Sequence, residues 1–160
     1  LQTADYVRAL GVTSDWTHPD EIEVMVATRI KRQGRLWGDR PLEFHAVLWE
    51  AALRQQIGGP DVMRAQLDHL LEMAELPNVH VQVLPFRVGA HHASGGSFNL
   101  VSFEEDGALD VGYAEGVAAT VWAEGAESSA AYARAFERVS RMSLAPHASV
   151  DLIAAISKGM

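Results

Sequence analysis

Between Phe44 and Leu84 the apolar pattern switches from strand-like to helix-like and back, and no other stretch constrains the fold as tightly. Phe44-His-Ala-Val-Leu-Trp49 is a short, mostly apolar run that suits a strand buried on at least one face. Pro60 then opens a helical stretch to about Leu76. Met63, Leu67, Leu70, Leu71 and Ala74 fall on its apolar stripe, and Arg64, Asp68, Glu72 and Glu75 on the wet side. Val79-His-Val-Gln-Val-Leu84 alternates with a period of two, as a strand with one buried face does. Strand, helix, strand at this spacing predicts a βαβ unit with parallel, right-handed connection.

The rest of the chain extends this to an α+β class. Residues 2–10 read as a short helix ended by Gly11, with no cap before it, so a further segment is expected ahead of Leu1. From Thr17 to about Trp37 a second helix carries Ile22, Met25, Val26, Arg29, Ile30, Gln33, Leu36 and Trp37 on one stripe. Glu50 to Gln55 continues the first strand as a helical turn closed by Gly58-Gly59. After Pro85, residues 86–96 form a loop. Ser97–Phe103, Leu109–Glu115 and Thr120–Ala123 then read as three strands whose short connections predict an antiparallel meander. Two helices close the chain, Ser128 to about Ser143 and another from Pro146. The expected architecture is one domain over residues 1–160: a mixed sheet of about five strands with helices packed against it.

Charge and residue usage exclude several functions. Lys and Arg number 13 against 21 Asp and Glu, a net charge of −8, which disfavours grip on phosphates. The one basic cluster, Arg29, Lys31, Arg32, Arg35 and Arg40, follows Asp20, Glu21 and Glu23, an order that suits the helix dipole. With no cysteine there is no disulfide, no thiolate zinc site and no thiol nucleophile. No apolar run is long enough for a membrane span and the start lacks a signal-peptide pattern, so a cytoplasmic location is expected. The phosphate-cradling glycine patterns do not occur, and no nucleophile motif frames any serine.

Three constellations carry possible chemistry. Arg29 and Gln33 lie on the otherwise apolar side of a helix. Glu50, at the end of a core strand with Arg54 one turn on, is the carboxylate expected to meet Arg29. This set is either a structural ion pair or the polar floor of a pocket. Phe86 and the adjacent His91 and His92 sit on the glycine-bearing loop, where binding residues concentrate. Histidines there can hold a metal, with His80, Asp110 and Glu115 to complete a site, but no recognised ligand spacing appears and neither metal nor cofactor is expected. Tyr113 and Glu115 share a strand face, and with Phe98 on the neighbouring strand they are expected to line one concave surface.

Several segments, taken in order, resemble one family. They are Leu1-Gln-Thr-Ala-Asp-Tyr-Val-Arg-Ala-Leu10, Ala27-Thr-Arg-Ile-Lys-Arg-Gln33, Glu50-Ala-Ala-Leu-Arg54, and Gly58-Gly-Pro-Asp-Val-Met-Arg-Ala-Gln-Leu67. Val83-Leu-Pro-Phe86, Gly89-Ala-His91, Gly96-Ser-Phe98 and Tyr113-Ala-Glu115 complete the set. Over about residues 1 to 155 the chain resembles the domain of unknown function that follows an XRE-type helix-turn-helix in many actinobacterial, antitoxin-like regulators. Trp49 departs from the smaller or acidic residue expected before Glu50.

The resemblance implies a regulatory domain that binds a small partner protein or a small-molecule ligand. It would touch DNA only through a head preceding residue 1. The contrasting expectation is a cofactor-free cyclase or isomerase in which His91, Tyr113 and Glu115 edge a pocket and shuttle a proton. Homodimerisation through exposed apolar residues of the terminal helices is a third.

Overall fold

The structure, a computed structural model, describes residues 1–12, 18–91, 93–105, 107–116, 119–123 and 125–160. His92 and Thr17, both named above, lie outside the described residues. The chain gathers into two compact units: Leu1–Phe86 together with Leu144–Met160, and Arg87–Ser143. The α+β class holds, with a parallel strand pair, an antiparallel set of three and two C-terminal helices. No helix among the described residues is long and apolar enough to cross a membrane.

The first unit is built on the βαβ element. Strands β1 (Phe44–Trp49) and β2 (Val79–Leu84) have the bounds that their apolar patterns predict, and they pair in parallel, Phe44 with Val79 through Trp49 with Leu84. Helix α1 spans Ala4–Gly11 and α2 spans Pro19–Gln33, followed by a 3₁₀ turn at Gly34–Leu36. The first of these does have a cap: Thr3 Oγ1 accepts from the Tyr6 N–H. In the second, Asp20 and Glu21 occupy the first turn and Lys31 and Arg32 the last, so these two members of the basic cluster are placed where they offset the dipole. Helix α3 (Glu50–Arg54) continues directly from β1. Helix α4 (Pro60–Met73) connects the parallel strands, and α6 (Pro146–Lys158) packs on both α4 and β2.

Burial follows the stripes. Met63, Leu67, Leu70 and Met73 of α4 meet Val79, Val81 and Val83 of β2 and Ile153 and Ile156 of α6 in one core. Gly58 enters α4 at φ +74°, a conformation side chains rarely adopt, and a Cβ there would lie 2.9 Å from Ala9 and Val62. The Gly58-Gly-Pro segment is therefore a seat for α1 as well as a helix start. Buried Asn78 donates through Nδ2 to the carbonyls of Leu36 and Leu42, tying the end of the 3₁₀ turn to the start of β2.

The second unit holds β3 (Asn99–Val101), β4 (Val111–Glu115) and β5 (Thr120–Ala123) in the expected antiparallel order, with α5 (Ala126–Met142) against β3 and β4. The five strands thus form two sheets rather than one. The reason lies on the outer edge of β2. There the Val83 N–H donates to Ser149 Oγ at 2.9 Å and the Val83 carbonyl accepts from the Leu144 N–H at 2.9 Å. Gln82 Nε2 adds a bond to the Leu144 carbonyl. The returning chain occupies the positions that a third strand would need.

Candidate functional site

Among the described residues, one concavity is formed by the second unit alone. Register pairs Asn99 with Tyr113 and Tyr113 with Trp122, so these three project from one face of the sheet, while Leu100, Gly112 and Ala123 project from the other. The second face receives α5. Gly112 makes that approach possible, because a Cβ on it would lie 2.5 Å from Tyr132 Cδ2 and 2.8 Å from Cγ. A glycine inside a strand here marks backbone approached closely by a side chain. The Tyr132 ring then meets Phe98 at a centroid distance of 5.3 Å and an interplanar angle of 57°, a tilted aromatic contact.

Around that contact lies an open cleft of about 420 Å³. Phe98, Val121, Ala131, Tyr132 and Ala135 give it an apolar lining, with Glu115 at the margin. Part of its rim is Gly95, Gly96 and Ser97, at the end of a turn, and Ala114, Gly116 and Ala119 complete the lining. In that turn the His91 N–H donates to Ser94 Oγ at 3.2 Å, and Ser94 Oγ donates back to the His91 carbonyl at 2.7 Å. The volume is within the range of small-ligand sites, and the small residues on α5 leave space that larger ones would fill.

This geometry corrects the expectation that Phe98 and Tyr113 line one concave surface. Asn99 opposes Tyr113, which places the preceding Phe98 on the opposite side of the sheet. Tyr113 instead stacks against Trp122 at 4.9 Å, away from the Tyr132 face. The expected grouping of His91, Tyr113 and Glu115 as one proton-shuttling edge therefore loses its phenol. Of that set, the cleft takes Phe98 and Glu115. His91 supports the rim through its backbone. Helical spacing puts Tyr132 and Ala135 on the apolar face of the Ser128–Ser143 helix, and Val121 falls in the third strand of the meander, but none of the three was assigned to a site; Gly112 inside a strand was a signal for the first of them.

In the first unit, Glu50 and Arg54 do meet. Arg54 Nε and Nη2 both lie 2.8 Å from Glu50 Oε1, while Glu50 Oε2 accepts from the Phe86 N–H at 2.9 Å. Glu50 is buried and Arg54 half exposed, so this carboxylate anchors the chain leaving β2 and its guanidinium partner faces water. Trp49, 51 % exposed, does not prevent that burial. The cation expected for Glu50 was Arg29, which instead donates to Gln2 Oε1. Gln33 Nε2 donates to the Gln2 carbonyl at 2.8 Å, and its Oε1 accepts from His69 Nε2 at 3.1 Å. Gln66 bridges the same segment, accepting from the Thr3 N–H and donating to the Leu1 carbonyl. Arg29 and Gln33 face the protein body as their stripe predicts, and both bond Gln2, with His69 a further partner of Gln33.

Burial pushes the His69 imidazole below its ordinary value of 6.5. The unfolded chain then binds more protons than the folded one as the pH falls below that value. The stability contributed by neutral His69 is complete above it and is lost on acidification. Between about pH 7 and about pH 5 the urea midpoint should fall more steeply in the wild type than in His69→Gln. Equal pH slopes would refute this assignment.

No curated protein and no solved structure matches the chain. Residues 1–155 match a family described as a domain of unknown function, DUF5753, a span that takes in the whole second unit and all of the first except its last five residues. The chain belongs to the DUF5753 family.

Proposed function

We propose that this chain is the regulatory ligand-binding domain of a helix-turn-helix transcriptional regulator, taking a small, largely apolar molecule into the cleft between β3–β5 and α5. The observation that carries the reading is the open apolar cleft over Gly112 and Tyr132. The resemblance of several segments, taken in order along the chain, to the effector part of such regulators supports the regulatory context. Residues 87–143 carry four Arg and no Lys against eight Asp and Glu, a balance that favours a neutral or cationic ligand over an anionic one. The same acidity over the whole chain supports a domain that leaves DNA contact to a separate head.

The test is calorimetric and thermal-shift screening of the chain against neutral, cationic and anionic apolar compounds. Ala135→Trp, which fills the cleft from α5, serves as the blocked control. A saturable neutral or cationic ligand that loses at least about tenfold in affinity on Ala135→Trp supports the reading; that factor corresponds to about 1.4 kcal/mol. Equal binding by the blocked variant, or a preference for anions, overturns it. In a regulator carrying both parts, the same ligand should shift operator affinity.

A partner-protein form of this reading has its own observation. On the opposite sheet face Val101 is 41 % exposed and Trp122 59 % exposed, with Tyr113 stacked beside the latter. Exposed aromatic side chains of this kind anchor protein interfaces. Trp122→Ala would abolish such an association and leave the cleft's ligand binding intact.

A further inference from the structure

The parallel pairing in the first unit places two histidines and a carboxylate together on one strand face. His45 of β1 and His80 of β2 are direct register partners. Glu43 lies two residues before His45 and so shares its side of the chain. The imidazole rings of His45 and His80 are 4.4 Å apart between centroids, tilted by 35°. Glu43 Oε2 lies 3.6 Å from His80 Nε2. One ligand-type atom from each of the three residues falls within 4.8 Å of the others. Val47 and Trp49 continue the same face, with the tryptophan half exposed, so the three donors stand where solvent and ions reach them.

We propose that Glu43, His45 and His80 form a three-ligand site for a divalent transition-metal ion, with Zn²⁺ its best-matched occupant. Donors bound tetrahedrally to zinc at 2.0–2.1 Å stand about 3.3 Å apart. The Glu43–His80 separation of 3.6 Å is near that value, and part-exposed side chains close the wider gaps by small rotations. Two imidazoles with one carboxylate suit zinc and its transition-metal neighbours, whereas Mg²⁺ and Ca²⁺ prefer all-oxygen shells. Three protein ligands leave a fourth position for water or for a donor atom of another molecule. The site consists of residues 43–80 and does not depend on the cleft reading, which concerns residues 95–135.

The sequence did not reveal it because its two strands are separated by a whole helix. No short ligand motif links Glu43 and His45 to His80.

The experiment uses tag-free chain treated with chelator and then dialysed. Calorimetric titration with ZnCl₂ should show saturable uptake of one ion per chain at micromolar concentration, undisturbed by excess Mg²⁺. His45→Ala and His80→Ala should each weaken it by about tenfold or more, with a smaller loss for Glu43→Gln. His147→Ala, a change at an exposed histidine outside the triad, should leave affinity unchanged. In the unsubstituted chain, Co²⁺ should broaden the His45 and His80 imidazole resonances before those of other histidines, a readout that needs no variant to fold. Absence of saturable Zn²⁺ uptake overturns the proposal. Full affinity in the His45→Ala/His80→Ala double variant, or Co²⁺ broadening centred on other histidines, does so too.

Discussion

Ile153→Ala should destabilise the first unit by about 2–5 kcal/mol. Ile153 is fully buried on α6 within the core that joins α4 and β2. Removing its three outer carbons forfeits their transfer energy and leaves a cavity. Leu67 and Leu70 of α4 and Val83 of β2 share that core and are themselves held by it, so no single side chain can move to fill it. Domains of this size have a total stability of about 5–15 kcal/mol, so the urea midpoint should drop by a large fraction. Ile30→Ala provides the contrast. Ile30 lies on the stripe of α2 that the sequence marks as apolar, yet it is 44 % exposed, and its loss should change stability by about 0.5 kcal/mol or less. Similar costs for the two substitutions would contradict the docking of α6 described above. Because the chain has two compact units, the transition should be followed by a probe within the first, such as exchange of the β2 amides.

Gly112→Val should cost the second unit about 1–3 kcal/mol and close the cleft beside Tyr132. The added side chain needs the space that the Tyr132 ring fills 2.5 Å from the Cβ position, and the strand cannot retreat without breaking its pairs to β3 and β5. The ring must swing out, taking its contact with Phe98 with it. This mechanism has a signature that a general strand defect lacks. In a Tyr132→Ala background the space is already vacant, and Gly112→Val should cost much less than in the wild type. Strictly additive losses in that double-mutant cycle would show that the glycine is needed for some other reason. Loss of ligand affinity on Gly112→Val, with little further loss from adding Ala135→Trp, would place both changes in one cavity.

These two sites differ in how far the sequence disclosed them. The β1 and β2 bounds were legible to the residue because alternation is a local property and both strands pair along their whole length. The meander was legible as three strands, but β3 was expected over Ser97–Phe103 and pairs only at Asn99–Val101. Division into two sheets was not legible, since periodicity states which face is buried and not which edge finds a partner. The edge of β2 is taken by Ser149 and Leu144, more than sixty positions away. The same limitation produced the error over Phe98. A one-residue shift of register exchanges the two faces of a strand, and register across a turn cannot be counted from composition. Glu50 was expected to pair with Arg29 and pairs with Arg54, so only the four-residue spacing of Glu50 and Arg54 on a helical turn was legible. The partner of Arg29 was not, because Gln2 carries no charge and lies 27 residues away.

The bond between Val83 and Leu144 also bears on how this protein tolerates change. The chain leaves the first unit where Glu50 holds the Phe86 N–H and re-enters where Leu144 is fastened to β2. Everything from Arg87 to Ser143 is therefore an excursion whose exit and entry posts belong to the scaffold. The entropy of closing such an excursion grows only slowly with its length. Insertions and deletions within it should cost the scaffold little, and whole replacements should be accepted at the same two posts. The two posts fix where the excursion begins and ends, and the length and sequence between them are the part free to vary.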